Sequence, residues 1–208
     1  MMKHATTLLT PQDPVLLLVD PQPGLAFAVE SQGRTTLKNN LVALAKTATA
    51  FSVPVVLTTS ATAKYSGPIF PPLLDALDGL HTIERTGMNA WEAPPVVDAV
   101  KATQRKTILI AGLLTEACVA FTTLAAIDAG YDVRVVVDAC GASSLVAHDT
   151  AVAMLMQAGM VPRTWLQVLL ELQRDWSRHA TYNVASAIVK EHAGAYGIGL
   201  DYAAAMLQ

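Results

Sequence analysis

The chain has 208 residues, with 14 Lys+Arg against 17 Asp+Glu and a formal charge of -3. That length suits a single domain, 1–208, whose core needs no disulfide or zinc staple, and the mild acidity disfavours a nucleic-acid partner, which would want a basic stripe. Hydrophobic residues make up 52% and charged residues only 15%, against about 25% charged in an average soluble protein, so an apolar excess must be hidden in a membrane, a core or a subunit interface.

At the N-terminus, Lys3 is followed by Thr6, Thr7, Thr10, Pro11 and Asp13 without a sustained apolar region, so no signal peptide is expected. The first apolar run, Val15–Val19 (VLLLV), reads as a strand, and so do Val55–Thr59, Thr82–Glu84, Thr107–Ala111, Val133–Val137 and Val161–Trp165. These runs are continuous rather than alternating, as in strands buried on both faces of a parallel sheet. None approaches the roughly 20 apolar residues of a membrane span.

Between the strands the pattern predicts helices over Thr36–Phe51, Pro95–Thr103, Glu116–Ala129, His148–Ala158, Glu171–Ala185 and Leu200–Leu207. Gly130 and Gly159 stand where helix-terminating glycines belong. Lys64–Asp78, rich in Pro and Gly, reads as a long surface loop. The alternation implies βαβ units, and hence an α/β fold: a three-layer αβα sandwich on a six-stranded parallel sheet. The C-terminal tail, from about residue 177 and above all after Gly194, is apolar for a terminus and is expected in oligomer contacts.

In such a sheet, ligands bind beyond the carboxyl ends of the strands, where strand order reverses. Asp20 follows the first strand, Lys64 the second, Arg85, Asn89 and Trp91 the third, Gly112–Cys118 the fourth, and Asp138 and Cys140 the fifth. Asp20, between the strand and Pro21, either caps the next turn or carries a proton. Cys118 is either a buried structural cysteine or a nucleophile. At a helix N-terminus its thiol pKa is expected to fall, and the local N–H groups could hold an oxyanion. Strand order 3-2-1-4-5-6 would set Asp20 and Cys118 side by side.

Other chemistries fit poorly. G-x-S-x-G, G-x-G-x-x-G and G-x-x-x-x-G-K-[ST] are absent, and no two of His4, His81, His148, His179 and His192 lie within four residues of each other. With only two cysteines, Cys118 and Cys140, a secreted disulfide scaffold is not expected. A cytoplasmic protein with a small-molecule substrate, no metal and no cofactor is the expectation.

At LLLVDPQPGL (Leu16–Leu25), PVVLTTS (Pro54–Ser60), NAWE (Asn89–Glu92), ILIAGLLTEACVAF (Ile108–Phe121), AIDAGYDVRVVVDACG (Ala126–Gly141) and LELQRDW (Leu170–Trp176), the chain resembles the isochorismatase-like cysteine hydrolases, in particular their YcaC-like branch. The box G-x-x-T-x-x-C-V at Gly112–Val119 is the most specific of these. The resemblance implies an Asp-Lys-Cys triad with Asp20 as general base and Cys118 as nucleophile. Arg85 stands where the family has its lysine. It also implies a cis peptide at Leu113–Leu114 and an oxyanion hole made by the Leu114 and Cys118 amides. Gln22, Phe27, Asn89, Trp91 and Thr115 would bind the substrate, a small amide or related acyl compound cleaved through a thioester. The branch further implies a homo-oligomer, a tetramer or an octamer. The alternative is a catalytically weak oligomeric scaffold or thiol redox sensor.

Overall fold

The computed structural model describes residues 7–207. Lys3 to Thr6 of the N-terminal reading lie outside the described residues. Strands β1 (Pro14–Val19), β2 (Val55–Ser60), β3 (Thr82–Arg85), β4 (Thr107–Leu113), β5 (Asp132–Gly141) and β6 (Val161–Arg163) form one parallel sheet in the order β3-β2-β1-β4-β5-β6. Every residue of β1 and β4, the central pair, is buried, which is why both read as unbroken apolar runs.

The helices are α1 (Pro23–Ala26), α2 (Arg34–Ala50), α3 (Pro71–Ala76), α4 (Pro94–Ala102), α5 (Ala120–Asp128), α6 (Leu145–Gln157), α7 (Trp165–Gln173), α8 (His179–His192) and α9 (Ala195–Met206). α2 gathers α3, α7 and α8 on one face of the sheet, while α4, α5 and α6 pack over the other. Right-handed crossovers require this division, because the chain runs one way from β1 to β3 and the other way from β4 to β6. The outcome is the three-layer αβα sandwich.

Several elements differ from the sequence reading. The expected helix Glu171–Ala185 is two helices: α7 stops at Gln173, Arg174 turns left-handed at φ 60°, and α8 starts at His179. Trp176 therefore sits in a break, edge-on to Tyr182. The sixth strand ends at Arg163, since Thr164 caps α7 by accepting from the Gln167 N–H at 3.3 Å and Trp165 is already helical. The expected loop Lys64–Asp78 contains α3 and most of a π-helical turn, Thr62–Ser66. Of the tail, α8 belongs to the domain itself, burying Ala185, Ile188 and Val189 against α2 and α7. Only α9, packed on α8, keeps a large apolar face exposed, with Ile198, Tyr202 and Met206 each at least two-thirds accessible.

The β1–β4 ladder runs in register from Pro14↔Thr107 to Val19↔Gly112. At its upper end the strands come so close that a Cβ on Gly112 would stand 1.8 Å from the Val19 carbonyl oxygen, and Gly112 has φ +136°. The same point carries the one register shift between β4 and β5, at Ile110/Gly112. Only glycine fits there. Gly112→Ala should cost about 3 kcal/mol or more, lowering Tm by roughly 6–12 °C. Gly130→Ala meets nothing within 4 Å at φ +87°, so it should cost about 1 kcal/mol and roughly 2–4 °C. Thermal unfolding of the two variants checks the difference.

Candidate active site

Asp20 is the first residue beyond β1. Its φ of 52° is unusual for a non-glycine residue and is held by its N–H donating to the Thr58 carbonyl at 3.2 Å and by its carbonyl accepting from Gln22 N–H at 2.7 Å. The left-handed turn points the carboxylate back into the sheet's upper end, where Asp20 is wholly buried. Strain of this kind, enforced by its surroundings, gathers at functional sites.

Three groups converge on that carboxylate. Arg85 ends β3 and grips it with two bonds, Nη1 to Oδ1 and Nη2 to Oδ2, both 2.8 Å. The Thr58 hydroxyl donates to Oδ1 at 3.0 Å. The Cys118 thiol lies near enough for the two groups to shift each other's pKa. Both charged side chains are almost inaccessible, at 4% for Arg85 and 0% for Asp20. Burial pushes the Asp20 carboxyl up, and Arg85, Thr58 and Cys118 pull against it without cancelling the rise. A carboxylate raised in this way accepts a proton more readily than a surface aspartate.

Cys118 does not open an ordinary helix. It lies in a π-helical turn, Thr115–Val119, that precedes α5. The Leu114 carbonyl accepts from the N–H groups of Ala117 and Val119, both at 3.1 Å, on either side of Cys118. Turns widened by one residue recur at functional sites. The Leu113–Leu114 peptide is cis, and the Leu114 N–H is among the groups that pull the Cys118 thiol down.

The expected fall in the thiol's pKa does not occur. Burial and the neighbouring Asp20 charge push Cys118 up to about 11, against the opposing pull of Arg85 and the Leu114 N–H. One amide and a guanidinium already committed to a carboxylate do not replace the lost water. Cys118 is thus a thiol at neutral pH, with the Asp20 carboxyl beside it. Cys140 is completely buried, bonds its thiol to the Val136 carbonyl at 3.3 Å and is pushed up to about 12.

The other expected site residues divide. Gln22 is buried and braces the chain beyond β2: its Nε2 donates to Gly67 O and Thr62 Oγ1, and its Oε1 accepts from Ser60 N–H. Asn89 caps the short turn Ala90–Glu92, accepting from Trp91 N–H at 3.0 Å. Trp91 packs edge-on against Tyr131, 5.2 Å between centroids. The Ala90 N–H beside it donates to Thr122 Oγ1 at 2.9 Å, in the first turn of α5. Thr115 is buried and bonds to His148. Phe27 is 73% exposed. Lys64 is exposed on the π-turn Thr62–Ser66, and Arg85 is the cation at the carboxylate. Sequence reasoning missed Thr58, although a threonine at the end of a buried strand beside the reversal point was a usable signal.

Residues 14–167 match the family model described as the isochorismatase domain. The chain belongs to the isochorismatase family. Within it the chain is YcaC-like. It is 43% identical over 165 residues to the probable hydrolase YcaC of Escherichia coli, covering 79% of each chain. The crystal structure of the Escherichia coli ycaC product, described as an octameric hydrolase of unknown specificity, superposes with a TM-score of 0.91 at 37% identity, covering 97% of this chain and 98% of that one. YcaC from Pseudomonas aeruginosa, solved with hexane-2,5-diol and covalent acrylamide, gives a TM-score of 0.90 at 38% identity, covering 95% and 97%.

The raised thiol has a direct readout. In a Cys140→Ala background, ultraviolet thiolate absorbance should titrate with a midpoint near 11, and iodoacetamide alkylation should still be accelerating at about pH 9. A midpoint below about 8.5 would mean that the N–H groups of the turn outweigh burial.

Proposed function

We propose that this protein is a cysteine hydrolase that cleaves a small, largely neutral amide or related acyl compound through a thioester. The observation that carries this reading is one buried carboxylate, Asp20, gripped by the Arg85 guanidinium and close enough to the Cys118 thiol for the two to act on each other. The covalent acrylamide in the Pseudomonas aeruginosa relative supports an amide-sized ligand. Arg85 is engaged by Asp20 and by the Met88 carbonyl at 3.1 Å, so it is poorly placed to neutralise a polyanionic substrate.

In the first half-reaction Asp20 takes the Cys118 proton as the sulfur attacks the substrate carbonyl carbon. The carbonyl oxygen becomes anionic and is held by the Leu114 and Cys118 N–H groups. The Leu114 carbonyl takes the N–H groups on either side of Cys118, which supports the Cys118 N–H as the second donor. The intermediate collapses, the C–N bond breaks, and Asp20 returns its proton to the leaving nitrogen. In the second half, water attacks the thioester, Asp20 takes the water's proton, and the departing sulfur recovers it as the acid is released. Arg85 carries no proton, because a guanidinium stays protonated in proteins. It keeps Asp20 ionised and both carboxylate oxygens oriented.

Ammonia release from a panel of small amides tests the reading. Cys118→Ala should abolish it and Cys140→Ala should retain most of it. Asp20→Asn should lower the rate by roughly two to four orders of magnitude. Arg85→Ala removes the cation that holds the Asp20 carboxyl down, so Asp20 should be protonated near neutral pH. Activity should then vanish there and return in part as pH rises. Arg85→Lys, which keeps the charge but loses the two-point grip, should retain part of the rate. A panel that yields no ammonia with wild type, or an Asp20→Asn variant of normal rate, would remove the reading.

The homo-oligomer belongs to the same proposal. Exposed Leu145, Val146 and Met156 on α6, with Ile198, Tyr202 and Met206 on α9, are apolar side chains that a subunit interface would cover, and the Escherichia coli relative is octameric. Light scattering should give a tetramer or octamer of the 22.0 kDa chain. Removing the residues after Gly194 should reduce its mass. A mass near that of one chain would refute the assembly.

A further inference from the structure

The turn that carries Cys118 is fastened from outside the triad. Thr115, its first residue, is fully buried, and its hydroxyl lies 3.0 Å from His148 Nδ1 on α6. Among the described residues the Thr115 hydroxyl has no other hydrogen-bonding partner. A second tie runs beside it: Glu116 Oε1 accepts from the Ser143 N–H at 2.9 Å, and Ser144 caps α6 through the Ala147 N–H at 3.1 Å. The first turn of α6 therefore sets where the Thr115–Val119 turn stands, and with it the sulfur and the Leu114 and Cys118 amides.

Of these ties one can titrate near neutrality. His148 is half-buried and borders a shallow cavity of about 250 Å³ that it shares with Asp138, Ser31 and Gln32, so its ring can exchange a proton with solvent. Glu116 on the nucleophile turn, Asp149 on α6 and Asp138 on β5 are the titratable groups around it. Burial holds His148 below its ordinary value of 6.5, with Asp149 and Glu116 opposing. A neutral ring with its proton on Nε2 accepts the Thr115 hydroxyl proton at Nδ1. A protonated ring carries a proton on Nδ1 and must donate there instead. The Thr115 hydroxyl proton is then turned away into a buried surrounding that offers it no acceptor.

We propose that His148 is a positioning residue for the nucleophile turn, holding Thr115 and through it the Leu114 and Cys118 amides in the reactive arrangement while its ring is neutral. The inference rests on the hydrolase reading for its purpose but not for its test. The consequence is an acid limb, below about pH 6.5, that belongs to the oxyanion amides rather than to Asp20.

Labelling of Cys118 by acrylamide, followed by mass spectrometry in a Cys140→Ala background, reads this without a known substrate. The sulfur bonds to the terminal carbon, the double-bond electron pair moves toward the carbonyl oxygen, and the thiol's proton ends on the α-carbon. The carbonyl oxygen thus develops charge where the amides act. Iodoacetamide, which displaces iodide and develops no such charge, is the control. His148→Ala should slow acrylamide labelling by about 10- to 100-fold and iodoacetamide labelling much less. His148→Asn keeps an acceptor near Nδ1 but does not titrate. It should restore the rate at about pH 8 to within roughly threefold, and the wild-type to Asn rate ratio should fall as pH drops through the histidine's range. Asp20 titrates in both proteins and cancels from that ratio. If His148→Ala does not fold, the ratio alone decides. A ratio flat with pH, or His148→Ala labelling at the wild-type rate, would overturn the proposal, as would a wild-type Cys118 inert to acrylamide. Labelling that follows the expected pattern in a protein that releases no ammonia from any amide would overturn the hydrolase reading and leave the role of His148 standing.

Discussion

The buried pair between Asp20 and Arg85 is the constraint around which the upper end of the sheet is organised. Two full charges removed from water are unstable apart, and losing either partner leaves the other uncompensated. The pair is tolerable because guanidinium and carboxylate match in shape, each oxygen meeting its own N–H at 2.8 Å. That geometry needs β1, β2 and β3 side by side. Asp20 leaves β1, the Thr58 hydroxyl comes from β2, and Arg85 closes β3. Cys118 arrives from the opposite half of the sheet, beyond β4. The candidate site therefore sits where the two halves diverge, the kind of crevice in which ligands collect in open α/β sheets.

Arg85, where the resemblance implies a lysine, would alter the division of labour in the proposed mechanism. An ammonium could share a proton with the carboxylate, whereas a guanidinium does not. Under the proposed mechanism proton movement is confined to Asp20 and Cys118, both shifted upward by burial. In the proposed mechanism the proton moves from Cys118 to Asp20 as the sulfur bonds to its target. Reactivity would then come from placement rather than from a standing thiolate, in keeping with a thiol pushed up to about 11.

The sheet was legible because its signal is dense. Five apolar residues in a row, VLLLV or TILIA, have no comfortable place except a strand covered on both sides. Asp20 and Cys118 were legible because they are the polar residues that follow the two central runs. Helix ends were harder to read. Glu171–Ala185 reads as one helix by periodicity, and the left-handed Arg174 that divides it carries no residue-type signal. The thiol's pKa was misjudged because a helix start seen in sequence says nothing of how deeply it is buried. Trp91, which follows β3 in sequence, packs its ring edge-on against Tyr131, a contact that the sequence does not signal. His148, thirty positions beyond the nucleophile, touches its turn only because α6 folds back over it.

The brace made by Gln22 bears on how such a site can diversify. Two residues past Asp20, it takes hold of Ser60, Thr62 and Gly67 at once, and Gly24 lies so near the Tyr65 carbonyl that a Cβ there would stand 2.3 Å away. The segment from Ser60 to Gly67 is stitched to the base it overlooks, so it cannot swing as a flap without dragging Asp20. Lengthening or shortening it would disturb the carboxylate itself. Outward-facing side chains such as the exposed Tyr65 can change on that unchanged backbone. The segment is in this sense a fixed frame with a replaceable surface.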